Sequence, residues 1–259
     1  MADVEMSIPQ AKTLAEWMKE SRNIVFFGGA GISTESGIPD FRSAAGIYQA
    51  EKDSPYAPEE ILSRRFFNRH PEVFFDFYKS KMIHPEAKPN PAHLLLADLE
   101  KAGQLQAVVT QNIDGLHQMA GSRKVLELHG SIHRNYCMEC RSFHTLDEVM
   151  NSQGVVPQCK ACGGVVKPDV VLYGESLNEA TIEDTVRAIA EADLLLIGGT
   201  SLTVQPAASL ITYFRGSRTV LLNASSTAYD SRADLHIKEP IGRVMKETGD
   251  WLRRMESGS

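Results

Sequence analysis

The chain has four cysteines, and they form two pairs, Cys137-x2-Cys140 and Cys159-x2-Cys162, separated by residues 141–158. Each CxxC turn directs two sulfurs at one point, and a loop of this length lets two such turns face each other. Four thiolates from two tight knuckles satisfy the tetrahedral preference of zinc. The surrounding segment is polar and turn-rich, as in Pro157-Gln158-Cys159-Lys160-Ala161-Cys162-Gly163-Gly164, and cannot enclose an apolar core of its own. A bound metal would supply the missing folding energy. Two disulfides or a redox CxxC are the competing readings, and neither accounts for a paired arrangement with no cysteine left over. Four sulfur ligands close the coordination shell to water, so one structural Zn2+ per chain is expected and the chemistry must lie elsewhere.

Composition sets outer bounds. At 259 residues, 42% hydrophobic and 23% charged, the chain can build one good core, or one core with a small satellite. No run approaches the length of a membrane span, so no membrane partner is expected. The start, Met1-Ala2-Asp3-Val4-Glu5-Met6, lacks the basic and apolar regions of a secretion signal. Cysteines committed to metal suit a reducing cytoplasm, which is the expected location. A net charge of −6 argues against a nucleic-acid footprint and is compatible with a basic peptide partner. A monomer is the default expectation.

Along the chain, short apolar runs alternate with helical periodicity. Ser7-Ile8-Pro9 opens a helix with Ala11, Leu14, Ala15 and Met18 on one face. Residues 23–27 read as a buried strand ending in Gly28-Gly29. Asn90-Pro91 offers an N-cap and first-turn proline to a helix through Leu99, and 106–110 is the next strand. Residues 192–197 run into Gly198-Gly199, 219–222 run into Asn223, and a last helix covers about 241–254. Continuous apolar strands alternating with helices indicate an α/β fold with a parallel sheet covered on both faces. Two stretches interrupt it: residues 43–89, with short helical pieces such as 71–80, and the cysteine segment at about 134–167. Both read as insertions that build a smaller module beside the sheet.

The polar residues follow the strand ends, where ligands bind in open α/β sheets. The first strand runs into Gly28-Gly29-Ala30-Gly31-Ile32-Ser33-Thr34, and glycines there let backbone N–H groups approach a pyrophosphate. The spacing departs from GxGxxG, and Glu51 and Asp53 lie in irregular chain, so a plain dehydrogenase is disfavoured. Gly199-Thr200-Ser201 adds phosphate donors, and Asn223 could hold a ribose hydroxyl. Gln111-Asn112-Ile113-Asp114 supplies hydrogen-bonding groups for a sugar or carboxamide, or else a surface Asx turn. His129 leaves an apolar run and is either a base or a satisfied structural histidine.

Taken together, GAGIS (29–33), GIPDFR (37–42), TQNIDGLH (110–117), His129-Gly130, the paired CxxC module and GTSLxVxPA (199–207) resemble the sirtuins, the NAD-dependent protein deacylases. The resemblance spans about residues 7–254, and the bacterial deacetylase branch is the nearest in pattern. It implies a Rossmann-like NAD-binding domain of residues 1–42, 90–133 and 168–259. It also implies a small domain, part helical and part zinc ribbon, of 43–89 and 134–167. It implies NAD as co-substrate and acyl-lysine peptides as partners. By the same resemblance, Ala30, Thr34, Phe41 and Arg42 cover the pyrophosphate and nicotinamide ribose, and Gln111 contacts a ribose. Asn112, Ile113 and Asp114 take the carboxamide, with Asn112 counted among the catalytic residues and His129 as the base. Thr200, Ser201, Asn223 and the backbone near Ile241 serve the adenosine side, and Val171, Tyr173 and Gly174 form the strand that receives the peptide.

The chain departs from the family pattern at Gly29, where threonine is common, at Tyr173, where phenylalanine is, and at Ala224-Ser225, where an acid often follows the asparagine. Tyr48 is followed by Gln49-Ala50-Glu51-Lys52-Asp53, with no Tyr-x-x-Arg to clamp an acyl carboxylate, and an acid there would repel one. Acetyl and other neutral acyl groups are therefore expected. Three other readings stay open: a protein mono-ADP-ribosyltransferase, an NAD hydrolase, and a non-catalytic NAD or zinc binding module with His129 merely structural.

Overall fold

The computed structural model describes residues 8–52 and 54–257. The readings placed on Met1–Met6, Ser7 and Asp53 lie outside the described residues. Six strands form a parallel sheet in the order β3-β2-β1-β7-β8-β9. They are β1 (Ile24–Gly28), β2 (Leu105–Thr110), β3 (Val125–Glu127), β7 (Leu194–Gly198), β8 (Arg218–Leu222) and β9 (Leu235–Ile237). A second, antiparallel sheet in the order β5-β4-β6 joins β4 (Gly130–Cys137), β5 (Phe143–His144) and β6 (Val166–Val170).

Alternation along the strands explains why both faces of the large sheet are covered. Ile24, Phe26, Leu194, Leu196, Val220 and Leu222 face a layer built from Leu14, Met18, Leu96, Val244 and Met245. These come from the helices Pro9–Glu20, Pro91–Lys101 and Ile241–Ser257. Val25, Phe27, Leu195, Ile197 and Leu221 face the opposite layer, with Ala188, Ile189, Leu210 and Ile211. Ala188 and Ile189 belong to the helix Glu179–Glu191, which the sequence reading had not singled out, and β9 is a further addition. Apart from the strand expected at 171–174, the other expected strands and helices stand within one to three residues of their anticipated ends. Asn90 caps the Pro91–Lys101 helix as expected, its side chain accepting from the Ala92 N–H at 2.9 Å.

A third apolar cluster draws on both interrupting stretches. Ile47, Phe66, Phe67, Phe74, Phe75 and Tyr78 pack with Ile132, Cys137, Val149, Cys159 and Val166. Helical order continues past Pro71–Phe77 through a wide π-helical turn, Tyr78–Met82. The chain winds outward from β1 through β2 to β3, then returns to place β7, β8 and β9 on the other side. The reversal lies between β1 and β7, so their carboxyl ends, Gly28 and Gly198, border the crevice where such sheets bind ligands. No described helix is long and apolar enough to cross a membrane.

Candidate active site and metal centre

A cavity of about 420 Å³ lies at that crevice, in the size range of small-molecule sites. It is bounded by the loops after β1, β2 and β7 on one side and by residues of the helical insertion on the other. Of the candidate residues, Ala30, Phe41, Arg42, Gln111, Asn112, Ile113, Asp114 and His129 line it. So do Val171, Tyr173, Gly174, Thr200, Ser201 and Asn223. Thr34 and Ile241 do not line it. Thr34 is exposed on the short helix Ala30–Ser36 and its hydroxyl donates to the Gly31 carbonyl at 3.0 Å. Ile241 starts the last helix and is buried in the core against Gly198.

His129 sits between β3 and β4, where the parallel sheet hands the chain to the antiparallel one. Its Nδ1 is 3.0 Å from the Gln111 carbonyl oxygen. A carbonyl only accepts, so Nδ1 carries the proton and Nε2 is left as the basic nitrogen of the neutral ring. Burial holds the His129 pKa below the ordinary histidine value, and the Gln111 hydrogen bond opposes that shift in part. The following Gly130 adopts φ 78°, and a Cβ there would collide with the Asp169 carbonyl oxygen on the paired strand β6. Only glycine lets β4 approach β6 while His129 keeps its place.

Past β2, three side chains form a donor chain. Asn112 Nδ2 donates to Ser33 Oγ at 3.0 Å, and Ser33 Oγ donates to Asp114 Oδ2 at 2.7 Å. Asp114 Oδ1 accepts the Leu116 N–H at 2.9 Å, so the carboxylate closes its own turn and braces the β1 loop. Ser33 is buried, and nothing in its glycine motif marks it for this role. Behind this cluster stand His93 and His117, buried with ring centroids 4.8 Å apart.

Gln111 Nε2 donates to Thr200 Oγ1 at 3.1 Å, tying the ends of β2 and β7 across β1. The glycine loop differs from expectation in one respect. The Gly29 and Gly31 N–H groups donate to the Gly198 and Gly199 carbonyls at 3.2 and 2.7 Å, so they are not free to meet a phosphate. These glycines let two loops touch: a Cβ on Gly31 would lie 2.7 Å from Gly199 Cα. Ser201 and Thr203 share a hydroxyl hydrogen bond of 2.8 Å, and Asn223 Nδ2 donates to the Ser225 carbonyl at 2.8 Å.

On the opposite wall, residues 171–174 were expected to be a strand. β6 ends at Val170, and only an isolated parallel bridge, Ser63 to Tyr173, continues the pairing. The Tyr48 and Tyr173 hydroxyls lie 3.1 Å apart, and Phe41 packs edge-on against the Tyr48 ring at 5.7 Å. Glu51, expected to repel acyl carboxylates, is paired with Lys81 at 2.6 Å, so its charge is largely neutralised.

The four cysteine sulfurs lie within 4.8 Å of one another. Cys137 and Cys162 are 3.4 Å apart, Cys140 and Cys162 3.4 Å, and Cys140 and Cys159 3.7 Å. These separations exceed a disulfide bond of about 2.05 Å. They approach the edge of about 3.8 Å for a ZnS4 tetrahedron with bonds of about 2.3 Å. Both knuckles turn the same way, with Arg141 (φ 62°) and Gly163 (φ 76°) left-handed just after the second cysteine. The donor set fits a structural zinc ion, and none of the four cysteines lines the cavity.

A family model described as "Sir2 family" matches residues 29–206. The chain belongs to the Sir2 family. The sirtuin resemblance carried by the motifs is thereby borne out, as is the α/β fold with its cysteine-bearing second sheet. An NAD-dependent protein deacetylase of Clostridium acetobutylicum is 57% identical over 233 residues, 90% of this chain and 95% of the relative. One from Sulfolobus acidocaldarius is 43% identical over 258 residues, 97% of this chain and 99% of the relative. Among solved Sir2 structures, a histidine-to-alanine variant with deacetylated p53 peptide and 3'-O-acetyl-ADP-ribose superposes with a TM-score of 0.85 at 38% identity, covering 92% of this chain and 97% of that one. Sir2Tm bound to a propionylated peptide has a TM-score of 0.80 at 37% identity, covering 97% and 99%.

Proposed function

We propose that this Sir2-family chain is an NAD-dependent protein-lysine deacetylase that removes neutral acyl groups and releases nicotinamide and O-acyl-ADP-ribose. The observation that carries this reading is the neutral His129 ring, pinned by Gln111, facing the same cavity as the Asn112–Ser33–Asp114 chain. NAD, bound as co-substrate, supplies a nicotinamide–ribose bond whose cleavage opens the sugar carbon to the weakly nucleophilic acyl oxygen. Asn112 and Asp114 hold the carboxamide, and Ile113 closes the apolar side of that pocket. Phe41 and Arg42 cover the sugar, and Phe41 keeps water from it. His129 Nε2 takes the proton of a ribose hydroxyl, and the Nδ1–H bond to Gln111 keeps the ring from turning over. Gln111 also contacts the ribose, and Ala30, Thr200, Ser201 and Asn223 take the phosphate and adenosine side.

The acyl-lysine peptide lies along residues 171–174. Among the described residues the Val171 carbonyl and the Gly174 N–H have no hydrogen-bond partner, so both remain for an added strand. Main-chain pairing of this kind favours broad substrate choice. We read the chain as two domains, residues 1–42, 90–133 and 168–259 against 43–89 and 134–167, with the peptide and NAD meeting between them. Zinc, held by Cys137, Cys140, Cys159 and Cys162, stiffens the smaller domain and takes no chemical part. The protein works as a cytoplasmic monomer without nucleic acid or membrane.

The test is incubation with NAD and an acetyl-lysine peptide, followed by mass spectrometry. Peptide-dependent nicotinamide release with loss of an acetyl mass is expected. Gain of ADP-ribose mass would show transfer, peptide-independent NAD loss hydrolysis, and no change a binding module.

A further inference from the structure

The segment that meets the peptide owes its shape to polar contacts more than to its own packing. Leu172 is anchored in the core, but Tyr173 and Gly174 are exposed. The Val171 N–H donates to the His129 carbonyl at 3.0 Å and the Tyr173 N–H to the Leu62 carbonyl at 2.9 Å. The Arg64 N–H donates to the Tyr173 carbonyl at 2.9 Å. Glu175 closes the turn. Its N–H donates to the Leu172 carbonyl and its Oε2 accepts the Leu172 N–H, both at 2.9 Å.

The same carboxylate binds two cations. Arg64 Nη1 donates to Oε1 at 2.9 Å, and Lys167 Nζ donates to Oε2 at 3.3 Å. Lys167 Nζ also donates to the Pro168 carbonyl at 3.2 Å and the Val170 carbonyl at 3.0 Å. The side chains of Lys167 and Glu175 are only 14% and 21% exposed, so this is no solvent-screened surface pair. One half-buried carboxylate therefore joins the helical insertion, the last strand of the zinc-bearing sheet and the peptide-binding turn.

We propose that Glu175 is a positioning residue for substrate capture: braced by Arg64 and Lys167, it fixes the 171–174 turn in the shape that leaves the Val171 carbonyl and Gly174 N–H facing the peptide. The inference rests on the deacetylase reading and adds a residue at the edge of the cavity whose carboxylate is held by Arg64, Lys167 and the Leu172 N–H. Glu175→Gln keeps the shape but turns an NH2 group toward Leu172 N–H, Arg64 or Lys167, all of them donors.

The test measures binding of a fluorescently labelled acetyl-lysine peptide together with the KM for NAD and the zinc content. For Glu175→Gln the peptide Kd should weaken by about tenfold or more, with the NAD KM within about twofold and zinc retained. Arg64→Met should move the peptide Kd the same way, and the double variant should lose little beyond the larger single effect. A peptide Kd within twofold of wild type in Glu175→Gln overturns the inference. So does a parallel loss of zinc and of both substrates, which marks a general folding role. Should Glu175→Gln not fold, Arg64→Met decides, and unchanged peptide binding there overturns it. Wild-type protein that neither binds the peptide nor releases nicotinamide with it defeats the deacetylase reading first, and this inference with it.

Discussion

The Nδ1 of His129 donates to the carbonyl oxygen of Gln111 at 3.0 Å, so the end of one strand sets the tautomer of a ring standing at the end of the next. Burial adds to this by holding the ring neutral. The folded pKa lies below the usual histidine value of about 6.5, so the basic form prevails at neutral pH and persists into mild acid. The acid limb of kcat/KM for an acetyl peptide should fall below pH 6.5, and His129→Ala should lower deacetylation by roughly 10²-fold or more. A limb at pH 7 or above, or a variant that keeps its activity, contradicts the base role.

His93 and His117 set a second pH dependence, this one in stability. Burial pushes them down to about 4 and about 3, His117 further lowered by its neighbour and His93 raised in part by Asp114. Unfolded histidine titrates near 6.5, so the unfolded chain gains these protons first as pH falls. The stabilisation is whole above pH 6.5 and is lost progressively as pH falls toward the folded values. Each ring costs about 1.4 kcal/mol per pH unit in that window. Both His117 ring nitrogens lack a partner among the described residues, so His117→Leu should fold and should flatten the acid slope by about one proton. Urea unfolding at pH 7.5 and 5.5 checks it, and an unchanged slope tells against the assignment.

Cys137 and Cys159 are buried in the same apolar cluster as Phe66, Phe74 and Val166. Cys159→Ser should lose zinc and lower Tm by roughly 10 °C, and deacetylation should disappear with the folded module. Metal analysis, a thermal melt and the peptide assay suffice. A variant that kept both zinc and full activity would remove the metal from its structural role.

Acyl choice depends on the mouth of the cavity. Arg42 lies over the Tyr48 ring at 5.4 Å, and the Tyr48 and Tyr173 hydroxyls bond each other at 3.1 Å, so the tyrosine at this mouth is already engaged. A succinyl group would have to open that hydroxyl pair to reach Tyr48, and Lys81 offsets the repulsion by Glu51. The kcat/KM for succinyl-lysine peptide should be at least about tenfold below that for acetyl. Comparable values would overturn this account.

Much of the site was legible because its determinants are local. CxxC spacing brings sulfurs together within one turn, and motif loops directly follow strands whose apolar runs were plain to read. Ser33 escaped because its partner Asp114 is 81 residues away, and a serine in a glycine loop has no local mark of that bond. The glycine loop as a whole was expected to offer N–H groups to phosphate, because nothing local shows that the Gly198 and Gly199 carbonyls take those of Gly29 and Gly31 first. Glu175 was passed over for the same reason: Arg64 and Lys167 come to it from two other segments.

By itself, then, the sequence determined the metal knuckles, the sheet with two buried faces, the family and most of the loops that line the cavity. Periodicity and spacing are properties of neighbouring residues, and chemistry at that range is readable without a fold. Only the tertiary structure decided which hydrogen bonds those loops make with one another. It set the His129 tautomer, the buried pair His93 and His117, and the Glu175 carboxylate that joins Arg64, Lys167 and the Leu172 N–H. Each of these depends on contacts between distant segments and on exclusion of water, which exist only once the two sheets have packed.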